Sequence, residues 1–300
     1  LGAYAISSYS IRITATNKCM LPVSLKLHLR NGTNFVTVPM LTHPILTCPC
    51  DFYGHYAVTF RNKAMEELLS KSQQTLPQAF LSRADKPAVK VPIQLLDARG
   101  PWKHKMAVCA TPLSLAADWT LMVQFFEVEI KICHPEVPPK RSFLLIDLFQ
   151  IWIAQGVTKF YIYIQSLAPE VFAVLKLYQQ SGDVSVELIS YALPETSKNA
   201  NKIVSFLRIH RDERSLPVND CLLRSRGNAK YTISADFEEV FVTFKNFTLF
   251  EMLEKQQGMS QKSGSYVIRS TSAYYEVGSS LFFFCYPSNY KYFEVNIYRY

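Results

Sequence analysis

The residues of this chain best suited to chemistry are three carboxylates packed into four positions, Asp236-Phe237-Glu238-Glu239, directly after the apolar run Lys230-Tyr-Thr-Ile-Ser-Ala235. Acids at the end of a buried strand are costly to keep there unless something binds them. Asp236 and Glu238 are two apart, so an extended backbone sends both side chains out of one face and Glu239 out of the other. Two hard oxygen ligands on one face suit a divalent cation such as Mn²⁺ or Mg²⁺, which in turn grips phosphate. A cation there would neutralise a departing diphosphate, the chemistry that a nucleotide-sugar donor requires. The plainer reading, a strand end with solvated acids, stays open on this stretch alone.

A second constellation lies upstream. Asn219-Asp220-Cys221 reads either as the capping of a helix N-terminus or as an acid, Asp220, set near the donor or acceptor. Arg224 and Arg226 on the same helix read as a solvated face or as bidentate partners of a diphosphate. The six histidines form no HxxxH pair and no Cys/His finger. There is no Gly-x-Ser-x-Gly elbow, no phosphate-binding Gly-rich loop and no dinucleotide fingerprint, and only ten glycines in all. Those absences argue against serine hydrolases, P-loop NTPases and Rossmann dehydrogenases. Seven cysteines are spread widely, with Cys48-Pro-Cys50 the one close pair, and match no zinc spacing. In a luminal chain they could form disulfides, and the odd count leaves at least one unpaired or joined to another chain. Two N-glycosylation acceptors, Asn31-Gly-Thr33 and Asn246-Phe-Thr248, agree with a secretory route.

The elements that position these groups fall into two blocks. Residues 1–104 read as a small β-rich domain. Alternation runs through Tyr9–Ala15, Val23–Leu29, Asn34–Val38, Tyr56–Phe60 and Ala88–Ile93, with a short helix over Asn62–Gln74. From residue 105 strands alternate with helices, which predicts an α/β layered domain over 105–300. Strands are expected at Ala107–Ala110, Lys159–Ile164, Val184–Ile189 and Tyr231–Ala235. Helices are expected at Leu144–Gln155, ending at Gly156, and at Pro169–Gln180, Leu216–Arg226 and Thr248–Lys255. Asp118–Glu129 reads as helical or extended. The stretch from Leu281 onward receives no assignment.

Composition bounds the possibilities further. The 300 residues are 49% hydrophobic and 19% charged, an ordered, core-forming balance. The net charge of +8 suits a phosphate-bearing substrate. The basic residues are scattered, and their densest run, Arg208–Arg214, is interrupted by acids, so no nucleic-acid partner is expected. No secretory leader and no apolar run long enough to span a bilayer is visible. The first residue is not Met, and an N-terminal anchor upstream of this chain is expected.

Four pieces in one order resemble the glycosyltransferase family 92 pattern. They are Val108-Cys-Ala-Thr-Pro-Leu113 with Trp119, Ile151 through Ser166, Val171 through Leu188, and Asn219-Asp-Cys-Leu-Leu-Arg224 followed by Ala229-Lys-Tyr231 and Ala235-Asp-Phe-Glu-Glu239. Leu1–Tyr4 with Ile11–Ala15 is similar to the family's β-rich lead-in. The resemblance implies a GT-A-like nucleotide-sugar-binding domain preceded by the small β-rich domain. It implies a type II membrane protein on the luminal face of the Golgi membrane. It further implies inverting transfer of galactose from UDP-galactose to a glycan acceptor with Mn²⁺, or Mg²⁺, as cofactor. On these positions Asp236 and Glu238 would hold the metal and diphosphate, with Arg224 as a further donor-binding candidate and Glu239 and Asp220 as candidate catalytic residues; no catalytic base is identified. The family has Asp-x-Asp-Glu where this chain has Asp236-Phe-Glu-Glu239, and the extra methylene of Glu238 would shift the cation. Residues 123–141 read as extra sequence, and the tail beyond about 265 departs from the family pattern. The competing reading is a catalytically inactive relative acting as a glycan-binding or structural protein. A β-rich adhesion module would account for residues 1–104 but leaves the acids unexplained.

Overall fold

A computed structural model describes residues 2–18, 23–45, 52–71, 75–114, 116, 122, 131–133, 152–191, 215–237, 239, 241, 247–259, 264–271, 274–278, 281–285 and 292–299. The first strands are β1 (Ala3–Ser7), β2 (Ser10–Lys18), β3 (Leu25–Asn31), β4 (Asn34–Pro44) and β5 (Phe52–Thr59). Helix α1 (Lys63–Lys71) and strands β6 (Gln78–Arg83), β7 (Lys86–Ile93), β8 (Leu95–Asp97), β9 (His104–Leu113) and β10 (Lys131–Cys133) follow. Then come β11 (Val157–Ile164), α2 (Pro169–Ser181), β12 (Ser185–Ser190), α3 (Ser215–Arg226), β13 (Ala229–Ala235) and α4 (Leu249–Met259). The last strands are β14 (Ser265–Thr271), β15 (Tyr274–Gly278), β16 (Leu281–Cys285) and β17 (Tyr292–Arg299). The chain divides into two units: residues 1–102 with 190–228, and residues 103–189 with 229–300.

The first unit is built on an eight-stranded sheet in the order β7-β6-β3-β4-β5-β2-β1-β8. Strict alternation puts Ala3, Ala5, Ile11, Ile13, Leu27, Leu29, Val38 and Met40 on one face, where they form a buried core. Helix α1 adds Met65, Leu68 and Leu69 to that core. Its start is fixed by Asn62, whose side-chain oxygen accepts the Met65 N–H at 3.0 Å. One residue out of phase, Tyr4 leaves the other face and packs with Ala98 and with Leu223 of α3. Helix α3 sits close to β5 because position 54 is glycine: a Cβ there would stand 2.9 Å from the Leu216 Cβ. At the helix exit a Cβ on Gly227 would meet the Ala98 backbone at 2.8 Å, so glycine is required there too.

The second unit carries a six-stranded sheet in the order β12-β11-β9-β13-β17-β14. Strands β11 and β13 both run parallel to β9, and β17 is antiparallel to β13 and to β14. Six of the eight residues of β11 are buried, as a central strand covered on both faces requires. Residues leading into β11 close in a Schellman motif: Val157 N–H donates to Trp152 O and Gly156 N–H to Ile153 O, each at 3.0 Å. Gly156 has φ +97°, the left-handed conformation that motif needs. Helix α2 begins at Pro169 and ends on Gly182 at φ +80°. Helix α4 opens with a capping box, Glu251 N–H to Thr248 Oγ1 at 3.2 Å and Thr248 N–H to Glu251 Oε2 at 2.8 Å. A three-stranded sheet, β10-β16-β15, lies in the same unit.

Two expectations change, and two others fall largely outside the described residues. Asn219, Asp220 and Cys221 occupy the interior of α3, so none of them caps its N-terminus. The tail that received no assignment supplies β16 and β17, and β17 pairs in register with β13, Tyr231 opposite Arg299 through Ser234 opposite Asn296. Its sequence runs Leu-Phe-Phe-Phe-Cys-Tyr and Tyr-Lys-Tyr-Phe, with no apolar–polar alternation to read. The helix expected over Leu144–Gln155 lies outside the described residues except for its end, and the segment Asp118–Glu129 lies outside them except for Met122. Among the described residues no helix is long and apolar enough to cross a membrane.

Candidate functional site

In the second unit, β9 is the first strand in chain order, and the chain then adds β11 and β12 on one side of it. It crosses to the opposite side for β13. The gap between β9 and β13 is therefore a topological switch point, and ligands of open α/β sheets bind outside the carboxyl ends of the strands at such a point. Ala235, the last residue of β13, is in register with Ala110 of β9. The segment that leaves the sheet there begins with Asp236.

The acids do not continue the strand. Glu239 N–H donates to Asp236 O at 3.1 Å, closing a turn over residues 236–239. The Glu239 carboxylate folds back, its Oε2 accepting the Asp236 N–H at 2.8 Å. Glu239 therefore turns back towards Asp236, where an extended strand would have pointed it away. The reason is local: an acid three residues after another can satisfy the N–H left orphaned where a ladder ends, in the manner of a capping box. Phe237 anchors the turn by burying its ring in the core of the unit. Asp236 and Glu239 are half-buried, and Glu238 lies outside the described residues.

The strand that delivers the turn is held from the side. Tyr231 OH donates to Glu254 of α4 at 2.8 Å, and Lys230 pairs with the same carboxylate at 2.7 Å. Helix α4 is in turn held by Gln155, a buried residue whose Oε1 accepts the Leu249 N–H at 2.7 Å. Its own carbonyl accepts the Phe250 N–H at 3.3 Å. Gln155 was not singled out from sequence. At the far end of the sheet, Lys159 on β11 pairs with Glu187 of β12 at 3.0 Å, and His104 Nδ1 lies 3.1 Å from Thr158 Oγ1. Burial, then the neighbouring Lys159 and Lys103 charges, holds the His104 pKa below its ordinary value.

Asp220 and Arg224 belong to the first unit. Asp220 is wholly buried, and its Oδ1 accepts Tyr4 OH at 2.7 Å and Thr14 Oγ1–H at 2.6 Å. Its Oδ2 pairs with the Arg224 guanidinium at 3.3 Å, one helical turn on. The Arg224 guanidinium also lies over the Tyr4 ring, 5.7 Å from its centroid. This arrangement pins α3 to β1 and β2 through a charged centre. Tyr4 and Thr14 escaped the sequence reading because they lie 216 and 206 positions away from Asp220. Asp236 and Glu239 lie in the other unit. Cys109 of β9 and Cys221 of α3 are both disulfide-bonded.

The acid turn offers hard oxygen donors. Among the described residues no group of three or more His, Cys, Asp or Glu is gathered to hold a metal by itself. A Mg²⁺ or Mn²⁺ site that borrows phosphate oxygens from its substrate needs one or two carboxylates, which this turn fits.

Comparison with known proteins gives a consistent picture. The chain is 30% identical over 136 residues to a β-1,4-galactosyltransferase, galt-1, of Caenorhabditis elegans. That match covers 43% of this chain and 29% of the relative, so the chain spans less than a third of that protein's length. Superposition on a ferredoxin NADP⁺ reductase from Neisseria gonorrhoeae covers 79% of this chain and 82% of that one. It does so at 10% identity and a TM-score of 0.17, too low to speak to a shared fold. The model of glycosyltransferase family 92 matches residues 140–293, which takes in α2, β13, the acid turn and most of the tail that the sequence reading had set outside the family pattern. With a little over half of its length inside that match, the chain belongs to glycosyltransferase family 92.

Proposed function

We propose that this chain transfers a hexose, galactose from UDP-galactose, to a glycan acceptor with inversion at the anomeric carbon, and that its second unit is a GT-A-like donor-binding domain. The observation that carries the reading is the acid turn 236–239 at the carboxyl end of β13, beside the switch point of the sheet. Family membership and the galactosyltransferase relative support the reaction class and the sugar. Asp236 and Glu238 would hold a Mn²⁺ or Mg²⁺ ion that binds the donor diphosphate. The bound cation supplies charge neutralisation for the departing diphosphate. Glu239 acts as a positioning residue, keeping the turn closed through the Asp236 N–H. Asp220 and Arg224 act by holding α3 in place. The disulfide-bonded Cys109 and Cys221 support a luminal location such as the Golgi, where thiols are oxidised.

The test is transfer itself. Purified chain is incubated with a panel of UDP-sugars, a mixture of glycan acceptors and Mn²⁺, and the product linkage is read by NMR. The reading expects a β-galactoside from UDP-galactose. A folded chain that binds glycan yet transfers no sugar from any donor would favour the inactive, glycan-binding relative.

A further inference from the structure

We propose that Asn31 carries an N-linked glycan. Asn31 closes β3 and pairs with Asn34, the first residue of β4, so that Gly32-Thr33 forms a two-residue hairpin turn. All four residues of this tip are exposed. Gly32 adopts φ +59°, and a Cβ built on it meets nothing within 4 Å, so the space at Gly32 is open. The Asn-Gly-Thr sequence supplies the acceptor amide, a non-proline middle residue and the hydroxyl that the motif requires. The lid of the hairpin is thus both chemically competent and able to house a bulky oligosaccharide without displacing any core residue.

A second, independent observation supports a compartment where this chemistry occurs. Cys109 and Cys221 are disulfide-bonded, which reducing compartments disfavour. In the modification, the Asn31 amide nitrogen attacks the anomeric carbon of a lipid diphosphate-linked oligosaccharide. The N–C bond forms, the bond from that carbon to the diphosphate oxygen breaks, the amide gives up one proton, and the lipid diphosphate leaves. The inference concerns Asn31 alone. Asn246 lies outside the described residues, and the hydroxyl of Thr248 in that second motif caps α4.

The inference rests on the luminal reading above, and the experiment separates the two. The chain is expressed in eukaryotic cells behind an added secretory leader, so that it meets the glycosylation machinery whatever its natural route. Material recovered from the medium is digested and peptide-mapped before and after amidase treatment in heavy-oxygen water. Occupancy at Asn31, lost in Asn31→Gln and in Thr33→Ala but kept in Thr33→Ser, is the expected result. Secreted protein with its cysteines oxidised and an unmodified Asn31 would overturn the inference. Should Asn31→Gln fail to reach the medium, Thr33→Ala, which keeps the asparagine, gives the same reading.

Discussion

Removing the Asp220 carboxylate should destabilise the first unit severely. Asp220→Ala leaves three groups without their buried acceptor: Tyr4 OH at 2.7 Å, Thr14 Oγ1 at 2.6 Å and the Arg224 guanidinium at 3.3 Å. The Asp220 side chain is 0% exposed and that of Arg224 only 14%, so solvent screens little of the pair. Breaking one side of a buried ion pair costs about 3–5 kcal/mol. Each orphaned hydroxyl would cost about 1–3 kcal/mol if it stayed in place. Both hydroxyls can rotate towards other acceptors, and the three terms share one carboxylate, so they do not add. About 4 kcal/mol is the expected total. For a unit of this size that lowers the midpoint of thermal unfolding by about 8–16 °C. Asp220→Asn, which keeps an acceptor, should cost less, and Tyr4→Phe about 1 kcal/mol. The assay is urea unfolding of the wild type, the single variants and the double variant Tyr4→Phe/Asp220→Ala. The double variant should be scarcely worse than Asp220→Ala alone, because the Tyr4 bond to Asp220 is already gone. A cost below about 1 kcal/mol for Asp220→Ala, or full additivity with Tyr4→Phe, would refute the claim that this carboxylate is what holds α3.

Further outcomes follow from the same structure. Gly156→Ala forces an L side chain to φ +97° beside Phe250 Cβ at 3.2 Å, and should cost about 1–3 kcal/mol in chemical denaturation of the second unit. Gln155→Ala leaves the buried Leu249 N–H without its acceptor and should cost about 1–3 kcal/mol, read the same way. Thr248→Ala removes the α4 cap and should cost about 1 kcal/mol; no change would mean the capping box does not persist in solution. Burial lowers the pKa of His28, His55 and His104 below 6.5, with lysine charges assisting at His28 and His104. The unfolded chain then binds more protons than the folded one below pH 6.5. Stability should be full above that pH and fall as the pH drops through the folded-state values. His28, held between Thr37 Oγ1 at 2.9 Å and Ser82 Oγ at 2.8 Å, should account for part of the slope. Unfolding midpoints that stay flat or rise from pH 7 to pH 5 would contradict this. The depression of Asp97, caused first by the Arg99 hydrogen bonds, acts only in the separate window below pH 3.8.

How far the sequence could reach depends on where each residue finds its partners. Strands β3, β4, β11 and β13 were legible because one side of each, or both, is uniformly apolar over five or more positions. The ends of α2 were legible because Pro169 and Gly182 act through their own backbone conformations. The position of the acid cluster was legible for the same local reason, but its shape was not. A period of two was assumed past the last ladder residue, whereas Glu239 turns back on Asp236. The spacing Asp-x-x-Glu was the signal for that turn, as Thr248-x-x-Glu251 was for the start of α4. The role of Asp220 had no such local mark. An acid inside an amphipathic helix looks solvated until a tyrosine and a threonine from the first two strands arrive above it. Likewise, residues 190–228 group with the first unit, a long-range return that no periodicity within α3 announces.

The central claim is that the acid turn after β13 binds a nucleotide diphosphate through a divalent cation. Calorimetric titration of UDP into the purified chain, with and without Mn²⁺, tests it most directly. The account predicts Mn²⁺-dependent binding that weakens at least about tenfold, some 1.4 kcal/mol, in Asp236→Asn while the variant stays folded. Binding of UDP that is absent in a folded sample, or that is indifferent both to Mn²⁺ and to Asp236→Asn, would contradict it.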